Sequence, residues 1–146
     1  MVLFFAIKEE NAQQQRDRTC ANLIDLIGQN CHRVLVDKTI NEKYEKRLSE
    51  FSSQPQYQTQ TALFLADVVY NPQKFVIETS APPEIPPGVV GSIPHEDRYI
   101  VKAALISRPI VVTDEVALLN AINSNHELLG LKAITPAEAL QLARDT

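Results

Sequence analysis

The sequence predicts an α/β protein in which a mostly parallel central sheet is covered by helices on both faces, as a three-layer α/β/α sandwich. Short apolar runs that are typical of buried strands alternate along the chain with longer segments of helical periodicity. The 146 residues match the size of one ordinary domain, and 45% of them are hydrophobic, which suffices for a buried core. We therefore expect a single domain over residues 1–146.

The composition excludes several classes of protein. No apolar run approaches the ~20 residues that a membrane helix needs, and the opening MVLFFAI is too short for a signal peptide and lacks its basic flank. We expect a cytoplasmic protein with no membrane contact. Cys20 and Cys31 do not lie at a metal-ligand spacing, and the histidines are scattered. The net charge of −4 argues against a broadly basic protein that wraps nucleic acid.

The first half of the chain is predicted to contain helix, strand, helix, helix and strand, in that order. Gly28 marks the expected end of the first helix. Asp37 is a suitable N-cap for the second helix, because its side chain can accept a hydrogen bond from the first turn. The predicted ranges are residues 13–27, 33–36, 38–51, 58–70 and 75–78.

The second half begins with a proline-rich segment, since five of the nine prolines fall within residues 82–94. Proline is excluded from regular helices and central strands, so we expect a loop there. Thr135, Pro136 and Glu138 supply an N-cap, an N1 proline and a capping-box acid for the last helix. The other predicted elements are a helix from residue 96, a strand at 110–112, a helix from residue 114 and a strand at 131–134.

Acidic side chains mark two junctions that a parallel sheet would bring together. Asp97 opens a predicted helix on the same face as its apolar residues, and Asp114 and Glu115 follow the strand-end Thr113. Open α/β sheets bind ligands at the carboxyl ends of their strands. Clustered carboxylates repel one another unless a cation neutralises them, so the pattern predicts a metal site. The same acids also suit a simpler role at helix N-termini.

Three motifs, taken in this order, resemble the PIN domain family. They are D-x-x-I-V-x-A-A from Asp97, I-V-V-T-x-[DE]-x-x-L from Ile110, and L-x-A-I-T-P-x-E from Leu131. Each motif alone is weakly specific, whereas the three together are fairly specific. The resemblance covers the chain from Val2 to its C-terminus.

PIN domains are metal-dependent nucleases that hold Mg²⁺ or Mn²⁺ with carboxylates, and many are the ribonuclease toxins of toxin–antitoxin pairs. The resemblance implies that Asp97 is one metal ligand and Glu115 another, with Asp114 as the alternative at the neighbouring position. The glutamate that the family carries on the helix after its second strand falls on Lys43, which departs from the pattern. Glu42, one residue away, is the candidate substitute ligand.

Two interpretations of the N-terminus compete, because the first strand of the family ends in an aspartate. Residues 2–6 match the apolar residues that follow that aspartate, which places Met1 at a polar position and puts in doubt whether Met1 is the true start. Alternatively, residues 2–7 form the first strand, and Glu9 or Glu10 replaces the aspartate. We favour the absent strand because the match is close, although a sheet without its central strand leaves backbone groups unpaired.

Two functions follow from these features. The first is a PIN-type endoribonuclease that hydrolyses RNA phosphodiester bonds with divalent ions held by Asp97, by Asp114 or Glu115, and by Glu42 as a weak third ligand. Its expected partners are RNA, an antitoxin protein and a second copy of the chain in a homodimer. The second is a PIN-like domain that has lost catalysis and binds nucleic acid or protein. Lys43 and the absent first aspartate favour the second function, and the acids at 97–115 favour the first.

Overall fold

The computed structural model describes residues 2–146, and for residues 3–5 it describes the backbone alone. Met1, at the family's polar position, lies outside the described residues. The protein is a mixed α/β structure rich in helix. Its α-helices are α1 (Val2–Lys8), α2 (Thr19–Gln29), α3 (Lys38–Ser52), α4 (Gln58–Phe64), α5 (Pro87–Val90), α6 (Arg98–Ser107), α7 (Val116–Ser124), α8 (His126–Leu129) and α9 (Pro136–Asp145). Its strands are β1 (Val34–Asp37), β2 (Phe75–Glu78), β3 (Val111–Val112) and β4 (Ala133–Ile134).

The strands form two separate parallel pairs. In one pair Val34 of β1 lies opposite Phe75 of β2, and in the other Val111 of β3 lies opposite Ala133 of β4. Between residues 2 and 146 no further strand joins the two pairs. The α/β class expected from the sequence is thus confirmed, whereas the described residues form two small sheets in place of the single central sheet that we expected.

The segment at 2–8 is the helix α1, so the interpretation of residues 2–7 as a strand is wrong. Ala6 and Ile7 are buried, with 5% and 3% of their surface exposed, in a core shared with α2. Glu9 ends the helix in a left-handed conformation with φ of 53°. The chain then reverses direction, and the Asp17 amide donates to the Glu9 carbonyl at 2.8 Å. Burial of Ala6 and Ile7 in the core shared with α2 stabilises the helical form of this apolar segment.

The hydrophobic core has three clusters, which α2 helps to connect. The first packs around β1 and β2 together with α1 to α4, and the second around β3 and β4 together with α5 to α8. Ile24 of α2 belongs to the first cluster, and Leu23 of the same helix belongs to a third cluster with Leu140 of α9. The two halves of the protein are therefore held on a common helix.

Several predicted boundaries are confirmed and others are wrong. The strand at 75–78 is observed, and both the Asp37 N-cap and the capping box of Thr135 and Glu138 are formed. The helix predicted from residue 13 begins six residues later, at Thr19, because the Asn11 side chain accepts the amides of residues 13 and 15 and forms a turn instead. The same helix, α2, continues past Gly28 to Gln29, so the predicted end at Gly28 is wrong. The helix expected from residue 114 starts at Val116, and the proline-rich loop contains the short helix α5.

Candidate active site

Asp97 lies at the start of α6 and carries a carboxylate with an unusual environment. A short 3₁₀ helix, His95–Asp97, leads into α6, where Asp97 is the N-cap residue but its side chain makes no capping hydrogen bond. Burial is the main cause that raises the pKa of Asp97, and repulsion from Glu96 and then Glu115 raises it further. The carboxylate of Asp97 therefore lies within the electrostatic reach of Glu115, which is distant in sequence.

Glu115 is positioned by the end of β3. The Thr113 amide donates to the Ile134 carbonyl at 3.0 Å, which completes the pairing of β3 with β4. The Glu115 amide then donates to the Thr113 hydroxyl at 3.1 Å, so that the chain turns into α7. Glu115 is the N-cap of α7, and like Asp97 its side chain makes no capping hydrogen bond. Both acids thus lie at helix N-termini, and neither side chain accepts a hydrogen bond from the first turn of its helix. Their carboxylates are therefore available for other contacts.

Asp114 has a different environment from Glu115. One of its carboxylate oxygens accepts the Ala12 amide at 3.3 Å, which ties the end of β3 to the turn after α1. Asp114 also acts on Cys20 of α2, since burial, then Asp114 and then Asp17 raise the pKa of the Cys20 thiol to about 11. A thiol with that pKa stays protonated and unreactive at neutral pH. Of the two adjacent acids, Glu115 is the one whose charge acts on Asp97.

Asp17 is a carboxylate in this region that the sequence analysis missed. Hydrogen bonds from the Thr19 side chain and backbone hold its pKa below the ordinary value. The Thr19 amide donates to Asp17 at 2.8 Å, so Asp17 caps the start of α2. The residue order D-x-T ahead of an apolar helix was the available signal. Asp17 and Asp114 both act on Cys20 in the first turn of α2.

Lys43 reaches the same side of the protein from α3. Its ammonium nitrogen lies 4.7 Å from the centroid of the Tyr99 ring in α6, which is a cation–π contact. Burial and then the charge of Asp97 raise the pKa of Tyr99, so Tyr99 is close to Asp97. The position that the family resemblance assigns to a glutamate therefore lies against Tyr99, two residues after Asp97, and a cation occupies it. Glu42, the proposed substitute ligand, is exposed on α3.

The described carboxylates do not form a complete metal centre. In the part of the chain that the structure describes, no group of three or more His, Cys, Asp or Glu side chains could hold a metal ion. Glu9, proposed with Glu10 as the substitute for the first aspartate, pairs instead with Arg18 and accepts a hydrogen bond from Gln60 at 3.3 Å. Glu10 forms an antiparallel bridge with Arg16. Neither residue lies in the arrangement that the strand interpretation required.

Comparison of the chain with models of known protein families, with curated proteins and with solved structures finds no match. Membership of the PIN family therefore stays a prediction from the sequence motifs. None of the helices between residues 2 and 146 combines the length and the hydropathy that crossing a bilayer requires.

Proposed function

We propose that this protein is an endoribonuclease of PIN type that uses Mg²⁺ or Mn²⁺, with Asp97 and Glu115 as the first two metal ligands and Asp114 beside them. The observation that carries the proposal is the position of two acids whose side chains do not cap their helices, Asp97 at the start of α6 and Glu115 at the start of α7. The raised pKa of Asp97, caused by burial, then by Glu96 and then by Glu115, agrees with it. Two carboxylates that repel each other, and whose side chains do not cap their helices, are what a divalent cation would stabilise.

The residues present fit such an ion only in part. Asp97 and Glu115 offer two carboxylates, and the described residues supply no third side chain to complete a group. An ion bound there would activate water and stabilise charge on the phosphodiester. In our proposal these two acids are one half of a metal centre, and catalysis requires a further acid.

We infer that this acid belongs to a strand inserted between β1 and β3. The Val111 amide donates to the Lys132 carbonyl next to β4, and the Thr113 amide donates to the Ile134 carbonyl of β4, so the backbone of the intervening Val112 faces away from β4. The opposite edge of β4 is closed by the Asn123 side chain, which donates to the Ala133 carbonyl and accepts its amide, both at 2.9 Å. The open edge of this sheet is consequently the edge of β3.

The other sheet supports the same position. The Val34 amide donates to the Lys74 carbonyl next to β2 at 2.7 Å, so the next residue, Leu35, directs its backbone away from β2. Because Ile24 of α2 packs in the cluster around β1 and Leu23 packs in the cluster that includes Val112 of β3, both strands are supported by the same helix. One strand that pairs with both free edges would join the two sheets into the continuous parallel sheet of a three-layer sandwich. This arrangement is part of our proposal.

A parallel strand in that position would end at the same edge as β1 and β3. The carboxyl end of β1 is Asp37 and that of β3 leads to Asp114. An aspartate at the end of the inserted strand would accordingly approach Asp97 and Glu115. RNA is the substrate that the family resemblance implies, and an antitoxin protein is the partner it implies.

A second candidate function is supported by Lys43. Its contact with Tyr99 holds a positive charge near the start of α6, at a position where the family pattern has a metal-binding glutamate. A cation in place of that glutamate removes a ligand and repels a metal ion. The protein would then be a PIN-like module that binds nucleic acid or another protein without cleaving RNA.

RNA cleavage separates the two candidates. The chain is compared with a version that carries about ten added N-terminal residues, an apolar strand ending in aspartate before Met1, and with the same extension ending in asparagine. We expect Mn²⁺-dependent cleavage of single-stranded RNA only with the aspartate extension, and its loss in Asp97→Asn and Glu115→Gln. Cleavage by neither extended form, with each shown to be folded, would reject the nuclease and favour the binding module.

A further inference from the structure

A cavity of about 360 Å³ lies against the N-terminal half of α6, the helix that Asp97 precedes. Its apolar lining comes from Ile85 and Val90, in the proline-rich segment and α5. Ile85 is 6% exposed and belongs to the second core cluster, so this wall is anchored to the protein interior. The volume is at the lower end of the range for small-molecule sites, which corresponds to a group the size of a nucleotide.

The polar lining of this cavity is mostly basic. Arg98 and Lys102 are four residues apart on α6 and therefore lie on one face of the helix. His95, in the preceding 3₁₀ helix, lines the same space. The Arg98 Nε donates to the Ile93 carbonyl at 3.4 Å, which holds the guanidinium at the cavity wall. An arginine that is oriented in this way suits bidentate binding of a phosphate.

One carboxylate opposes these basic groups. Glu84 contacts the Lys102 ammonium at 3.4 Å, but the Glu84 side chain is 89% exposed. Such a pair contributes little in water, so an anion with more charge can displace Glu84 from Lys102. The cavity keeps a net positive character with Glu84 in place, because Arg98 and Lys102 outnumber it.

We propose that this cavity binds a backbone phosphate of the RNA strand whose neighbouring phosphodiester lies at Asp97. This inference rests on the proposed function and names a substrate-positioning subsite for it. His95 and Arg98, which line the cavity, flank Asp97 in the chain, so the cavity and the acidic pair share the start of α6. Basic side chains on the flank relieve the repulsion that two carboxylates exert on RNA. Arg98 and Lys102 are positioning residues here, not catalytic ones.

The test measures binding to a fluorescein-labelled single-stranded RNA in EDTA, so that no cleavage occurs, by fluorescence anisotropy at several salt concentrations. The variant is Arg98→Gln with Lys102→Gln. We expect its RNA affinity to fall about tenfold at low salt, and the salt dependence of log K to decrease by about 1.4 for two lost phosphate contacts. Glu84→Gln removes the competing carboxylate and should strengthen binding. Lys132→Gln and Glu127→Gln, which each remove one exposed charge of the corresponding sign elsewhere, serve as controls, and Lys132→Gln should reduce affinity by less than half of the effect of the double variant on log K.

The outcomes distinguish this subsite from the proposed function. If the unmodified chain binds RNA but the double variant and the Lys132→Gln control bind equally well, the subsite is wrong and the nuclease proposal stands. If no form binds RNA at low salt, both are wrong. Inorganic phosphate or AMP that displaces RNA at equal phosphate concentration would show that the cavity takes free phosphate compounds, and would overturn the assignment to an RNA strand. Equal melting temperatures of all forms confirm that the variants are folded.

Discussion

Two adjacent valines in β3 provide a stringent test of the open sheet edge. The Val111 amide donates to the Lys132 carbonyl at 2.9 Å, whereas the backbone of Val112 faces away from β4. Proline removes the amide hydrogen at either position, and it is tolerated in a strand only where that hydrogen is not part of the ladder. Val111 is buried and Val112 is half-buried, so each proline variant is compared with the alanine variant at the same position, and the difference between the two comparisons reports the backbone hydrogen bond.

The lost hydrogen bond sets the expected decrease in the free energy of unfolding. Val111→Pro leaves the Lys132 carbonyl without its partner, which costs about 1–3 kcal/mol in the free energy of unfolding. For a chain of 146 residues this corresponds to a melting temperature lower by roughly 3–9 °C. Val112→Pro removes no hydrogen bond of the described structure, so we expect a clearly smaller decrease.

Thermal unfolding followed by circular dichroism is the assay, with urea unfolding as a second measure. The same two proline variants are also compared in the protein extended by a strand that ends in aspartate. There Val112 becomes a partner of the added strand, and Val112→Pro should cost as much as Val111→Pro. Equal losses in the unextended chain, or a larger loss for Val112→Pro, would show that the edge of β3 is already paired and would refute the inserted strand.

Three further predictions follow from individual contacts. The pKa of Asp97 is raised in the folded protein, so ionisation of Asp97 destabilises the fold as the pH rises through that pKa. Asp97→Asn should therefore melt at a higher temperature than the unmodified chain at pH 7, and the two melting temperatures should converge below pH 3.8. A variant that is less stable at pH 7 would contradict this. Lys43→Glu loses a cation–π contact worth about 0.5–1 kcal/mol, but it should raise the affinity for Mn²⁺ in a calorimetric titration. The control Lys43→Gln loses the same contact and should raise the Mn²⁺ affinity less. Asn123→Ala leaves both backbone groups of Ala133 unpaired and should lower the free energy of unfolding by about 2 kcal/mol or more, against little change for the exposed Asn120→Ala on the same helix.

Local features of the structure followed well from the sequence. Asp37 and the Thr135 capping box depend on side chains within one helical turn, and residues 75–78 form a strand flanked by polar segments. Such interactions are visible in a short window of residues. The position of Asp97 at the start of α6 and of Glu115 after β3 was predicted for the same reason.

Features that depend on distant contacts were not predictable. Residues 2–8 are apolar on several faces, and only their packing on α2 decides between strand and helix. The contact of Lys43 with Tyr99 joins α3 to α6, and the spacing of residues in the sequence does not predict it. The π-helix Leu65–Val69 likewise interrupts a region where the periodicity predicts one regular helix.

Binding of Mn²⁺ is the most direct test of the claim that Asp97 and Glu115 form half of a metal centre. Electron paramagnetic resonance can count free Mn²⁺ in titrations of the unmodified chain, of Asp97→Asn and Glu115→Gln, and of the chain with an added strand ending in aspartate. We expect weak binding by the unmodified chain, loss of that binding in both variants, and binding at least tenfold tighter in the extended protein. Binding that is the same in all four proteins, or absent from the extended one, would contradict the account.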